Sequence, residues 1–283
     1  MVYKKTKIEV LDHIERFDSF PRFLHVLVIV SFLSLALTGM VIKFSNIEIF
    51  QTLASMIGGY EVTGFIHRFA ALMTVAYFVL HLGYIIRRKK EKKRHIKYLF
   101  VGENTMVPQK RDLIEFFQTI KWFLGKGEKP DYGRWTYWEK FDYFAVFWGV
   151  FIIGMSGLIL WFPVFFTSLG LPGWFINVAT IIHSDEALLA TGFIFTIHFF
   201  NTHFRPDKFP IDTVIFTGKM SLEEFKEDRP RQYRQMVEDG ELEESLTTEP
   251  SERFTRISRI FGFTALSIGV GLVFLIIYSL LFV

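Results

Sequence analysis

The chain has 283 residues, of which 51% are hydrophobic and 18% aromatic, and its mean hydropathy is +0.29. This composition indicates an integral membrane protein. The chain contains no cysteine, which excludes disulfides, cysteine-ligated iron–sulfur clusters and CxxCH haem attachment within it. The net charge of +3 is small, and the basic residues are concentrated in a few segments.

Five apolar runs are long enough to cross a bilayer, which takes about 20 residues in a helix. They cover about residues 23–41, 64–86, 141–162, 174–204 and 256–283. The first run is too long for a signal-peptide core, so we expect no cleaved signal peptide. The predicted fold class is all-α and integral to the membrane. It comprises a four-helix up-down bundle in residues 1–204, a charged cytoplasmic segment at 205–255, and a fifth transmembrane helix at 256–283.

The polar loop between the second and third runs contains one amphipathic stretch. Its apolar residues recur at helical spacing and share one face: Leu113, Phe116, Phe117, Ile120, Phe123 and Leu124. A helix lying on the membrane surface, or under the bundle, fits this pattern.

Basic residues indicate the orientation of the chain. Lys and Arg cluster in the N-terminal segment, after the second run in RRKKEKKRH (87–95), after the fourth run, and just before the fifth. The other two loops contain almost none. The positive-inside rule therefore predicts a cytoplasmic N-terminus and an outer C-terminus.

The second and fourth runs each carry two histidines at membrane depth, where ionisable groups are costly and usually mark function. His67 and His81 are 14 residues apart, which corresponds to about 21 Å of rise and about 40° of rotation in an α-helix. His183 and His198 are 15 residues apart, or about 22 Å and about 60°. Each helix thus offers one imidazole near each membrane face. Two bis-histidine iron sites, stacked across the membrane, are the simplest chemistry that needs this arrangement.

Haem b explains these histidines better than zinc or copper does. Only Asp185 and Glu186 lie close to them in sequence, whereas zinc and copper sites usually combine several ligand types at short spacing. A haem instead takes one imidazole from each of two facing helices. We therefore predict at least two non-covalent haem b groups.

Three arginines lie beside or near the candidate ligands and are expected to neutralise haem propionates: Arg68, Arg22 and Arg205. For Arg22 and Arg205, ordinary anchoring at the membrane interface is an equally good explanation.

Several motifs resemble the gamma subunit of membrane formate dehydrogenases and the related cytochrome b subunits of hydrogenases and thiosulfate reductases. They are distributed over residues 12–238: RFLHVLVIVSFLSLALTG, GFIHRFAAL, GRWTYWEK, GLILWFP, IIHSDEALLA and GKMSLEEFKEDRPRQYRQM. The spacings H-x13-H and H-x14-H in the second and fourth runs also look like the cytochrome b/b6 family. The resemblance implies electron transfer between a redox partner and membrane quinone. It also implies an electron-transfer subunit of a hetero-oligomeric complex in a bacterial or archaeal inner membrane.

The outer haem is predicted to bind His67 and His183, which have matched depth on two parallel helices. For the inner haem, the resemblance to formate dehydrogenases implies His25 with His198. The cytochrome b6-like spacing instead pairs His81 with His198, and we favour it because His81 faces the same way as His67.

Under that second pairing, His25 and His203 are left for a third haem. The alternative for His203 is an interfacial histidine bonded to a backbone carbonyl.

The resemblance also implies a quinone site at the cytoplasmic end, because GRWTYWEK aligns with the segment that lines that pocket in the family. Thr136, Tyr137 and Lys140 are the candidate hydrogen-bonding residues. The family usually has Asn and Gly where this chain has Thr136 and Trp138, so the contacts must differ. The alternative is that Tyr137 and Lys140 anchor the third helix at the interface.

A redox partner, either an iron–sulfur protein or a multihaem cytochrome c, is expected at the outer face beside loops 44–60 and 163–173. Lipid is the other partner, and no nucleic acid is expected. Two further function classes remain open: a proton-coupled transporter and a non-redox membrane anchor. The histidines lie toward the two faces rather than at the midplane, which disfavours a transporter.

Overall fold

The computed structural model describes residues 11–91, 97, 100–102, 104–205 and 208–281. Within this part of the chain, five helices are long and apolar enough to cross a membrane, which confirms the predicted all-α membrane fold. They are α1 (Ser19–Lys43), α3 (Tyr60–Glu91), α5 (Tyr137–Trp161), α7 (Trp174–Phe193) with its continuation to Phe204, and α12 (Glu252–Leu281).

Shorter elements connect these spans. The helices are α2 (Glu48–Ile57), α4 (Lys110–Phe123), α6 (Pro163–Ser168), α8 (Val214–Thr217), α9 (Leu222–Asp228), α10 (Pro230–Glu238) and α11 (Leu242–Ser245). Three short strands, β1 (His13–Glu15), β2 (Lys219–Ser221) and β3 (Leu246–Thr247), add a minor sheet to an otherwise helical chain. The stretches 44–60 and 163–173, expected as loops, therefore contain the helices α2 and α6.

The chain divides into two compact units. The transmembrane unit consists of Phe23–Arg94, Asp142–Asp212 and Phe261–Val283. The loop unit consists of Met1–Arg22, His95–Phe141 and Thr213–Ile260. From Thr213 onward, the charged segment predicted at 205–255 thus folds together with the N-terminal residues and the long loop between the second and third spans.

The core of the transmembrane unit joins the first, fourth and fifth spans. Met40 and Val41 near the end of α1 belong to one buried cluster with Phe195, Phe199 and Leu272. Gly269 allows close packing there, because a Cβ at this position would lie 2.4 Å from the Phe195 ring. The fifth span is therefore anchored to the fourth by shape as well as by apolar burial.

The loop unit is built on the antiparallel sheet, whose strand order is β2-β1-β3. Ile14 pairs with Met220 on one side and with Leu246 on the other. Its side chain is buried with those of Val214, Met220 and Phe225. Alternating side chains in a strand point to opposite faces, so this register places Ile14 in the core of the unit.

Ion pairs tie the distant segments of the loop unit together. Arg229 donates two hydrogen bonds to the Glu139 carboxylate, both 3.0 Å long. Arg231 donates to Glu115 at 3.0 Å and packs over Gly133, where a Cβ would lie 2.6 Å from its Nη2. The motifs GRWTYWEK and GKMSLEEFKEDRPRQYRQM are thus partners of each other within this unit.

Candidate functional site

The outer histidines face each other between α3 and α7. The ring centroids of His67 and His183 are 6.1 Å apart, and the ring planes form an angle of 73°. His183 Nδ1 donates to the Ile153 carbonyl at 2.9 Å. His67 Nδ1 lies 2.9 Å from the Thr38 hydroxyl, which itself donates to the Ser34 carbonyl.

These bonds determine which nitrogen of each ring can bind a metal. Because the Thr38 hydroxyl hydrogen is used on Ser34, this oxygen accepts the proton of His67 Nδ1. His183 Nδ1 also carries its proton, since it faces a carbonyl. Each neutral ring therefore keeps its lone pair on Nε2, the state that a metal ligand requires.

The space around the two rings fits a bis-imidazole iron site. Two imidazoles that bind one metal at about 2 Å have ring centres about 6 Å apart, close to the observed 6.1 Å. A Cβ on Gly157 would lie 2.9 Å from His183 Cε1, and one on Gly39 would lie 3.4 Å from His67 Cε1. Glycine at both positions leaves the rings room beside the neighbouring helices.

At the other end of the fourth span, His198 is held by an acidic side chain. Its Nδ1 lies 2.8 Å from Asp142 Oδ2, near the start of α5. Asp142 Oδ1 is buried and has no hydrogen-bond partner among the described residues. As with the outer histidines, a donating Nδ1 leaves the lone pair on Nε2.

The fourth span changes its winding where it carries this histidine. Ile194–His198 and Phe200–Phe204 are π-helical, with hydrogen bonds from i to i+5. An extra residue in an α-helix rotates the side chains that follow it by about 100° around the helix axis. His183 and His198 are 15 residues apart, one more than His67 and His81. A π turn accommodates this additional residue.

The side chain of His25 on α1 lies within electrostatic range of those of His198 and His203. The structure thus brings the first-span histidine to the inner end of the fourth span.

His81 has a different environment. Its Nε2 lies 2.9 Å from the Tyr143 hydroxyl, and its ring packs at centroid distances of 5.6 Å from Tyr143 and 6.3 Å from Phe147. The nitrogen that usually binds haem iron is therefore already engaged by a neighbouring side chain.

His203 is buried, and its Nδ1 accepts a hydrogen bond of 3.3 Å from the backbone N–H of Asp212. The backbone partner is an N–H group, not the carbonyl considered from the sequence. A neutral ring that accepts at Nδ1 carries its proton on Nε2, so this tautomer has no lone pair for iron at Nε2.

The three arginines have distinct surroundings. Arg22 Nη1 donates to the carbonyls of Phe216 and Thr217 at 2.9 and 2.8 Å, within the loop unit. The Arg68 guanidinium lies 6.0 Å from the centroid of the Trp161 ring. Arg205 is buried. The contacts of Arg22 thus provide a structural role for it without any cofactor.

The candidate quinone residues all have partners in the structure. Thr136 is fully buried, and its hydroxyl donates to the Glu139 carboxylate. The Thr136 N–H donates to the same carboxylate and the Glu139 N–H donates to the Thr136 hydroxyl oxygen, which makes a capping box at the start of α5. Lys140 is buried and pairs with Asp112 at 2.8 Å. Tyr137 is half-buried and packs edge-on against Phe116.

A protein-family model matches the N-terminal part of the chain. Residues 3–102 match the family model described as "Prokaryotic cytochrome b561", which covers the first third of the chain, including His25, His67 and His81. No curated protein matches the chain. Proteins of the matched family are membrane b-type cytochromes, bind haem b and transfer electrons across the membrane.

The match confirms the resemblance drawn from the sequence motifs. The match over residues 3–102 is consistent with a membrane b-type cytochrome of the hydrogenase and formate dehydrogenase type, and the five candidate spans support a multi-pass membrane protein.

Proposed function

We propose that this protein passes electrons between a redox partner at the outer face and the membrane quinone pool, by way of two bis-histidine haem b groups. The observation that carries the proposal is the pair His67 and His183, with ring centroids 6.1 Å apart. The hydrogen bonds at Nδ1 leave the Nε2 lone pair of each ring available. Haem supplies reversible one-electron chemistry when it is bound there.

For the inner haem we propose His25 and His198 as ligands. His25 interacts electrostatically with His198, and His198 is fixed by Asp142 with its Nε2 lone pair available. His81 is the alternative, and this pairing requires its Nε2 to leave Tyr143. His203 then serves a structural role through its bond to the Asp212 backbone. These assignments give two haems and no third.

The proposed orientation has two supports. The N-terminal segment, the loop between the second and third spans and the segment between the fourth and fifth spans form one compact unit, as expected of segments on the same side of the membrane. These segments are also rich in Lys and Arg, so the positive-inside rule assigns them to the cytoplasm. The N-terminus is then cytoplasmic and the C-terminus lies outside.

We place the quinone at the cytoplasmic end, beside the inner haem. Quinone reduction consumes two electrons and two protons, and this end combines a haem with access to cytoplasmic protons. Thr136 and Lys140 support the site indirectly, because their polar groups are bonded to Glu139 and Asp112. Tyr137, the first residue of α5, is the third member of the proposed site.

The quinone assignment is tested by the rate at which a quinol analogue reduces the haems in Tyr137→Phe. We expect a slower rate with intact haem content. Tyr60→Phe, at the start of α3 and thus at the opposite membrane face, is the matched control. If both variants keep the wild-type rate, the quinone does not depend on Tyr137.

The outer partner is proposed to dock where apolar side chains are exposed in α2 and in the α6 region. Met56, Val164 and Leu169 are each at least 70% exposed. Exposed apolar patches of this kind commonly mark interaction sites. An iron–sulfur protein or a multihaem cytochrome c fits the redox role. Crosslinks confined to the basic segment 87–110 would contradict this placement.

A reduced-minus-oxidised absorption spectrum of the purified protein, combined with a haem count, tests the proposal as a whole. We expect b-type bands and two haems per chain. A preparation that folds without b-type bands would instead support a transporter or a structural anchor.

A further inference from the structure

Helix α4 in the loop unit has its polar and apolar faces reversed relative to an ordinary helix packed on a protein core. The residues that point inward are Asp112, Glu115 and Thr119, all buried. The apolar side chains point outward and are 39–63% exposed: Leu113, Ile114, Phe116, Phe117, Ile120, Phe123 and Leu124. A surface helix of a soluble domain normally buries such an apolar stripe.

Specific polar partners hold α4 in this orientation. Asp112 pairs with Lys140 at 2.8 Å, Glu115 with Arg231 at 3.0 Å, and the Thr119 hydroxyl lies 2.6 Å from the Tyr132 hydroxyl. Burial raises the pKa of the Glu115 carboxyl above its ordinary value, and Arg231 opposes that shift. Rotating the helix to bury its apolar face would break all three contacts.

The same contacts place α4 beside the start of a membrane span. Lys140 lies in the first turn of α5, and the Phe116 ring packs 5.5 Å from Tyr137, the first residue of that span. A helix attached at the point where a span enters the bilayer has the lipid boundary within reach.

Basic side chains lie among and beside the apolar residues of α4. Lys110, Arg111 and Lys121 are exposed, and Arg111 also pairs with Glu115 and Asp131. Gln118 lies about 100° around the helix from Phe117. An interfacial helix presents apolar side chains to the acyl region and basic side chains to anionic head groups.

We propose that the outward apolar face of α4 inserts into the lipid head-group and acyl boundary of the membrane. The occupant of this face is lipid, and the flanking cations favour anionic head groups. The helix thereby fixes the loop unit to the bilayer surface.

The absence of cysteine from the chain permits a clean single-label test. A nitroxide is attached at Leu113→Cys or Phe117→Cys in the full chain, reconstituted in nanodiscs that contain anionic lipid. We expect collision with oxygen and shielding from a water-soluble nickel complex. A nitroxide at Gln118→Cys is the matched control, and we expect it to be accessible to the nickel complex.

The proposal fails if labels at 113 and 117 collide with the nickel complex as readily as the label at 118. It also fails if they are shielded from both reagents, because that result indicates a protein partner or a second copy.

A separate observation concerns Asp142, and its interpretation depends on the proposed haem function. Asp142 is the acidic partner of a candidate iron ligand, whereas the outer ligands His67 and His183 have neutral oxygen partners. A carboxylate that accepts from Nδ1–H makes the imidazole a stronger electron donor, and such partners tune the metal that the histidine binds. Hydrogen bonding of this kind is one of the means by which a protein sets the potential of a haem.

We infer that Asp142 is a positioning residue that orients His198 and lowers the midpoint potential of the inner haem. Its negative charge stabilises the oxidised iron, which carries one more positive charge than the reduced iron. A redox titration with electron paramagnetic resonance of the holoprotein tests this inference. In Asp142→Asn we expect a higher inner potential and an unchanged outer potential, whereas Asp142→Glu should retain a potential close to wild type.

Thr38→Val, which removes a neutral partner at the outer site, is the control and should leave the inner potential unchanged. Two haems with unaltered potentials in Asp142→Asn would refute the role of Asp142 while leaving the cytochrome function intact. Equal loss of the inner haem in Asp142→Asn and Asp142→Glu would also refute it, because the charge would then be irrelevant. If the proposed cytochrome function itself is wrong, the wild-type protein will contain no b-type haem.

Discussion

The two ends of the transmembrane unit, called outer and inner after the proposed orientation, use their histidines in different ways. At the outer end, two histidines face each other, and neutral oxygens of Thr38 and Ile153 hold their Nδ1 atoms. At the inner end there are four histidines, His25, His81, His198 and His203, and each has a different environment.

On the proposed assignment, depth alone does not make a histidine a ligand. His81 and His203 lie in the spans, yet one ring uses Nε2 on a tyrosine and the other accepts at Nδ1. The partner of the second nitrogen decides whether a lone pair is available for iron. Four predictions test or sharpen this contrast.

The largest effect is expected at the outer pair. His67→Ala and His183→Ala should each remove the same haem and leave the other, because both rings belong to one site. The measurement is a haem count with a low-temperature spectrum of each variant. Variants that lose spectroscopically different haems would show that the two rings do not share an iron.

The inner end gives a more selective result. His25→Ala should remove the inner haem, whereas His81→Ala should retain it, because Tyr143 already occupies His81 Nε2. The two variants are matched in size and chemistry, so each controls for the other. The reverse outcome, with the haem lost only in His81→Ala, would favour the cytochrome b6-like pairing with His198.

Lys140 tests whether the stability of the loop unit depends on charge pairing. Lys140→Met leaves Asp112 buried without its cation, a change that typically costs about 3–5 kcal/mol for a buried pair. We expect a lower thermal unfolding temperature in detergent, whereas the exposed Lys121→Met should be nearly neutral. An unchanged temperature in Lys140→Met would show that the pair with Asp112 contributes little. Slow quinol oxidation in any Lys140 variant must therefore be compared with its stability.

The smallest effects are expected at the glycines beside the outer rings. In Gly157→Ala the new Cβ would lie 2.9 Å from His183, compared with 3.4 Å from His67 in Gly39→Ala. Overpacking of this kind costs about 1–3 kcal/mol. We expect a shifted outer-haem spectrum in Gly157→Ala and a weaker shift in Gly39→Ala. Spectral shifts of equal size in the two variants, or a larger shift in Gly39→Ala, would mean that the rings move when haem binds.

The sequence alone determined the membrane class, the number of spans and the periodic placement of the histidines. These features depend on hydrophobic length and on helical geometry, which are local properties of the chain. The apolar stripe of α4 was equally visible, because its spacing follows from the same period.

Only the tertiary structure decided which groups meet. The bonds of His81 to Tyr143 and of His198 to Asp142 join residues that are 62 and 56 positions apart. The π-helical turns at Ile194–His198 and Phe200–Phe204 have no signal in the apolar pattern, which assumes a uniform α-helical rotation. The outward direction of the α4 stripe likewise depends on Lys140, Arg231 and Tyr132, since a helical pattern fixes the faces of a helix but not what each face contacts.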